Sequence, residues 1–163
     1  MYLLYQIQVS RRLYEVLKVH KFSEIRSSFL STAFASSYYF LVPLTYVELL
    51  YTEQQTKKES NFLLFIFMIF IFFFANLQQH HSHKQLADLR KDKSNQDKFY
   101  QIPKEGLFKY FYCPHYLMEI SIYFSLLLLN FSPSLLLVFL FVLCNQIELY
   151  HNTREWYKKK FGK

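Results

Sequence analysis

Glycine is nearly missing from this chain, with 2 in 163 residues. Gly106 and Gly162 can build neither a G-x-G-x-x-G fingerprint nor a P-loop, so the backbone-cradled phosphate sites of those folds are excluded. Any nucleotide bound here is held by side chains on loops and helix ends. Hairpins that depend on positive φ are equally starved, which favours helices over sheets. Cysteine is scarce as well: Cys113 and Cys144 have no C-x-x-C spacing and make neither a disulfide framework nor a zinc site. Acidic residues number 12 against 19 Lys and Arg, for a net charge of +7. That sign admits nucleic acid as a partner, but its distribution along the chain argues against it. No internal repeat is present, and the opening residues carry no small-residue cleavage site of a signal peptide.

What is abundant is apolar and aromatic. Phenylalanine alone supplies 19 residues and aromatics 21% of the chain. Residues Phe62 to Ala75 form an unbroken apolar run of 14 within 62–77. A bilayer core of ~30 Å asks for about 20 helical residues, and Asn61, Gln78 and Gln79 can extend this run to both interfaces. Three further candidate spans lie at 29–51, kinked at Pro43, at 114–130, and at 134–150 after the break at Pro133. The fold expected is all-α: a polytopic membrane helix bundle in one domain, 1–163, with about four full spans. Residues 1–17 add an interfacial helix or the last turns of a partial span.

Charge placement orients this bundle. Four spans put the N-terminal segment, the 78–113 loop and the C-terminal tail on one side. That side carries 17 of the 19 basic residues and all six histidines; only Lys57 and Lys58 lie opposite. The positive-inside rule makes it the cytosolic side. A topological bias thus accounts for the charge, and no nucleic acid is expected.

The polar segment 78–119 between these runs is richer than a connector needs. His115 and Glu119 stand four apart at a helix start, with Pro114 suited to the first turn. They make a polar site under the cytosolic surface or an interfacial pair that snorkels. Gln79 and His83 share a face beside His80 and His81. Histidines at this spacing can bind metal, but a solvated cluster beside the headgroups fits six histidines better, and no metal is expected. Arg90 and Lys91 offer a fork and a point charge for phosphate or for lipid headgroups. Tyr100 to Pro103 reads as a turn into an interfacial helix carrying Phe108, Tyr110 and Phe111. Near the end, Trp156 and Tyr157 can stack on a ring or sit in an aromatic belt.

The elements RRLYE (11–15), FSE (22–24), LRK (89–91), YQIP (100–103), GLFKY (106–110), PHYLMEI (114–120), Asn145-Gln146 and WYKKKF (156–161) occur in an order that resembles the steroid 5-alpha-reductase family. RRLYE tilts the resemblance towards the polyprenol reductase branch. It implies an endoplasmic reticulum membrane enzyme that binds NADPH from the cytosol and reduces the α-isoprene double bond of a polyprenoid lipid, leading to dolichol for N-glycosylation. Position by position, it implies that Arg12, Gln79, His83, Arg90, Tyr100, His115, Glu119 and Tyr157 bind the cofactor. No obligate protein partner is implied. Gln101 replaces a steroid-branch arginine, and Thr153 stands where those members have histidine. The family's first two spans, most of its third and its usual C-terminal ending have no counterpart, so the chain is expected to be a fragment of a longer protein or an incomplete gene product, with no catalytic residue assignable. An isoprenylcysteine methyltransferase-like enzyme is the nearest enzymatic alternative, set apart by its H-P rather than P-H order. A non-catalytic truncated relative is the other.

Overall fold

The computed structural model describes residues 2–19, 43, 45, 61–89 and 103–162. Among the described residues every regular element is helical and no strand occurs. Helix α1 runs Tyr2–Tyr14 and continues as a π-helical turn, Glu15–Val19; α2 is Phe62–Asp88, α3 Pro114–Leu129 and α4 Pro133–Phe161, with a 3-10 turn at Gly106–Lys109. The candidate span 29–51, apart from two single positions, lies outside the described residues, as do Arg90 and Tyr100.

Local chemistry explains where these helices begin and end. The Asn61 side chain accepts the Leu63 backbone N–H at 3.1 Å and caps α2. Ser132 accepts the Leu135 N–H at 3.1 Å ahead of Pro133, so the proline that stops one helix starts the next. Pro114 opens α3 in the same way. Gly162 closes α4 at φ 67, the left-handed conformation that glycine adopts most cheaply.

Two helices outrun the apolar spans that hydropathy marks. Helix α2 continues through Asp88 rather than yielding to loop at residue 78, and α4 continues through Phe161 rather than ending near Tyr150. The hydropathy window marks where the side chains turn polar, not where the helix ends. Gln, Lys, Leu and Ala in 78–88 are sound helix formers, and no Gly or Pro interrupts them.

Helix α2 packs along α3, and α3 along α4. Their shared core draws on all four helices: Tyr5 from α1, Phe72 and Ala75 from α2, Met118, Ile122 and Leu126 from α3, Val138 and Val142 from α4. Around it the usual order of surfaces is reversed. Phe62, Leu63 and Phe70 of α2 are 70%, 77% and 64% exposed, whereas Gln79 and His83 of the same helix are 2% and 6% exposed. Helices α2 and α4 are long and apolar enough to cross a membrane, and α3 is apolar but shorter at 16 residues.

Candidate functional site

The polar turns of α1 and α2 meet face to face. On α1 and the π turn that continues it, Gln8, Arg11, Arg12 and Glu15 recur at i, i+3, i+4 and i+7, so they lie on one side of the helix. On α2, Asn76, Gln79, His80 and His83 repeat the same spacing. Each stripe satisfies the other. The Arg11 Nε donates to Asn76 Oδ1 at 2.8 Å, and its Nη2 donates to Gln8 Oε1 at 2.8 Å and to Gln79 Oε1.

Glu15 is the hub, with its side chain 0% exposed. Arg11 Nη1 and Arg12 Nη1, the latter at 3.0 Å, donate to its two oxygens. His80 Nδ1 lies 2.9 Å from Oε1 and His83 Nδ1 2.8 Å from Oε2. An ionised carboxylate only accepts, so both imidazole Nδ1 atoms carry the proton. The Arg12 guanidinium, 3.2 Å from His83 Nδ1, is therefore a charged neighbour of that ring rather than its donor.

Glu15 and His83 lie beyond the apolar run of α2, and their protonation follows from burial and partners. Burial alone would push the Glu15 carboxyl up, but the His83 hydrogen bond and the charge of Arg11 hold it well below the usual carboxylate range. For His83, burial outweighs the pull of Glu15 and, with the Arg12 charge, lowers the ring below its ordinary value. The π turn that begins at Glu15 is the kind of helix distortion found often at functional sites.

Gln79 carries the network onward to α3. Its Oε1 faces the Arg11 guanidinium, which only donates, so its Nε2 is directed to Glu119 Oε2 and the His115 carbonyl at 3.3 Å. The His115 ring stands 5.5 Å from His83, 4.1 Å from Tyr116 and 6.3 Å from Phe108, centroid to centroid. The Tyr116 hydroxyl is 3.4 Å from that of Thr153, which ties α3 to α4. Beside them, burial pushes the Cys113 thiol up to about 11, so it stays protonated and unreactive. The 3-10 turn rests on α2: a Cβ on Gly106, at φ +58, would come 3.3 Å from Gln85 Nε2.

Of the residues expected to bind cofactor, Arg12, Gln79, His83, His115 and Glu119 are therefore brought together. Tyr157 is buried on α4, one turn past Thr153, with its ring 5.1 Å from that of Trp156. Gln8, Arg11, Glu15, Asn76 and His80 were not expected there. Their signal is the shared i, i+3, i+4, i+7 stripe, visible only when both helices are read together. Among the described residues, no group of three or more His, Cys, Asp or Glu side chains is placed to hold a metal ion.

A family model described as 3-oxo-5-alpha-steroid 4-dehydrogenase matches residues 26–163. The chain belongs to this family, the steroid 5-alpha-reductases. Similar curated relatives include a polyprenal reductase of Danio rerio, 33% identical over 95% of this chain and 53% of the relative. A polyprenal reductase of Caenorhabditis elegans is 30% identical over 99% of this chain and 55% of the relative. One of Xenopus tropicalis is 31% identical over 93% and 52%. The chain thus spans about half the length of the curated relatives it matches. No solved structure matches it.

Proposed function

We propose that this chain is the cofactor-binding part of a membrane reductase that uses NADPH to saturate the α-isoprene double bond of a polyprenal or polyprenol. The setting is the endoplasmic reticulum membrane, on the route to dolichol for N-glycosylation. Helices α2, α3 and α4 and the run at 29–51 cross the bilayer, with the polar stripes, the segment 78–113 and the C-terminus in the cytosol, where NADPH is found. The similarity to polyprenal reductases supports the substrate class. The observation that carries the cofactor reading is the buried polar centre built on Glu15.

The chemistry of that centre fits a nicotinamide dinucleotide. The Arg11–Arg12–Glu15 trio carries one net positive charge, suited to a phosphate. Arg12 is the more exposed arginine of the pair, with 24% of its side chain accessible against 15% for Arg11. Arg90 and Tyr100 add a cation and an aromatic hydroxyl from the adjoining segment. His115 and Glu119 offer a ring and a carboxylate for the nicotinamide end, and Tyr157 an aromatic face from α4. NADPH held by these residues would supply the hydride for the β-carbon of the conjugated double bond. The chain's own residues orient the two partners, exclude water and stabilise charge where it develops.

The test is nucleotide binding by the purified chain in detergent, followed by nicotinamide fluorescence. NADPH should bind in preference to NADH and S-adenosylmethionine. Preference for S-adenosylmethionine would point to methyl transfer instead, and absence of all three would mark a non-catalytic relative.

A further inference from the structure

Three glutamines each keep one buried amide atom with no hydrogen-bond partner among the described residues: Gln8 Nε2, Gln85 Oε1 and Gln146 Oε1. Only the first is a donor. Gln8 is 1% exposed, so its N–H groups have no access to bulk water. Its orientation is fixed by chemistry, because Oε1 accepts from Arg11 Nη2 at 2.8 Å and a guanidinium cannot accept in return. Turning the amide over would set donor against donor. A buried donor left unmade is destabilising, and a ligand that accepts from it removes that cost.

The position of Gln8 says what kind of ligand. One turn before it on α1 is Tyr5, part of the apolar core with Phe72, Met118 and Ile122. One turn after it is Arg11, the first cation of the polar centre. The unmade donor therefore stands at the boundary between an apolar interior and a charged one. A molecule that suits both sides has a hydrocarbon body and an oxygen that accepts hydrogen bonds.

We infer that Gln8 Nε2 is the hydrogen-bond donor to the carbonyl oxygen of the isoprenoid substrate. The inference rests on the reductase reading above and adds the substrate's contact to it. As hydride adds to the β-carbon, the π electrons shift onto the carbonyl oxygen; a proton from solvent then completes the α-carbon. Nε2 stabilises the oxygen while it bears that charge and itself keeps both protons. Arg11, hydrogen-bonded to the other end of the amide, polarises it and strengthens the donor.

The experiment uses the full chain in membranes with NADPH and farnesal, a short isoprenoid enal, as probe. Hydrogen bonding to an enal oxygen lowers its C=O stretching frequency and moves its conjugated absorbance to longer wavelength. Wild type should show both shifts. Gln8→Glu keeps the acceptor for Arg11 and the side-chain volume but loses the donor, so both shifts should vanish. Turnover should fall about 10²-fold, with NADPH affinity held within a few-fold. Gln8→Leu should behave alike, and Gln146→Leu, which removes an acceptor, should leave the carbonyl shifts in place. Retention of the shifts and of turnover in Gln8→Glu would overturn the inference and leave the donor to a structural water. A wild type that binds NADPH yet never shifts the enal spectrum would overturn it too, without touching the cofactor reading. A wild type that binds no nucleotide would instead overturn the reductase reading itself.

Discussion

The two ends of α2 obey opposite rules. From Phe62 to Leu77 the helix turns large apolar side chains outward, with Leu63 77% and Leu77 70% exposed. From Asn76 to His83 it turns its polar groups inward, against Arg11 and Glu15 of α1. One helix thus offers an apolar outer surface along one half and builds a shielded polar centre along the other. What sets the boundary is the partner helix: the stripe of four polar residues on α1 exists only at the level of the stripe on α2. Burial of polar groups is tolerated because nearly every donor there faces an acceptor.

The largest effect should come from emptying the hub. Glu15→Leu leaves the half-buried Arg11 and Arg12 without their carboxylate, and removal of one partner from a largely buried ion-pair network costs about 3 kcal/mol or more. Thermal unfolding in detergent should show it as a steep loss of stability, while a change at exposed Phe70, such as Phe70→Ala, should leave the midpoint nearly unmoved. An equal response to both would erase the distinction between the two ends of α2.

Truncating the apolar side comes next. Phe72 is 0% exposed in the shared core, and Phe72→Ala should cost about 3–5 kcal/mol through the cavity it leaves. The loss should appear in stability and spare nucleotide preference, because Phe72 lies outside the polar stripes.

Acid should weaken the polar end selectively. Glu15 and His83 both bind protons less readily in the folded chain than in the unfolded one, so their contribution is complete above the ordinary His value of 6.5. It should fall as pH drops, first through His83 and then, below the ordinary carboxylate value of 4.5, through Glu15. Unfolding midpoints measured from pH 8 to about 4 should decline, and less so in His83→Gln. The smallest effect is at the turn that rests on this end. Gly106→Ala forces a side chain into left-handed backbone and towards Gln85, which should cost about 1–2 kcal/mol.

Much of this was legible in the sequence, for reasons that also mark where legibility ends. Hydropathy located the apolar halves of α2 and α4, and Pro114 and Pro133 marked two helix starts correctly. The pairing of Gln79 with Glu119 joins residues 40 positions apart, and that of His83 with Glu15 spans 68, distances that no local pattern reports. Arg11 and Glu15 stood in plain view within RRLYE as an i, i+4 pair. Read alone, such a pair is a surface ornament worth little; only the matching stripe on α2 buries it. Sequence motifs pointed at Arg12 and missed Arg11, although Arg11 bonds to Gln8, Glu15, Asn76 and Gln79.

The most direct measurement is NADPH affinity of the purified chain against Arg12→Gln and Glu119→Gln, with helical content recorded for each. These residues come from different helices and are linked through Gln79, Arg11 and Glu15. Each variant should stay helical and bind NADPH at least about tenfold more weakly, the equivalent of ~1.4 kcal/mol. Unchanged affinity in both, with the fold intact, would contradict the assignment of the buried polar centre to the cofactor.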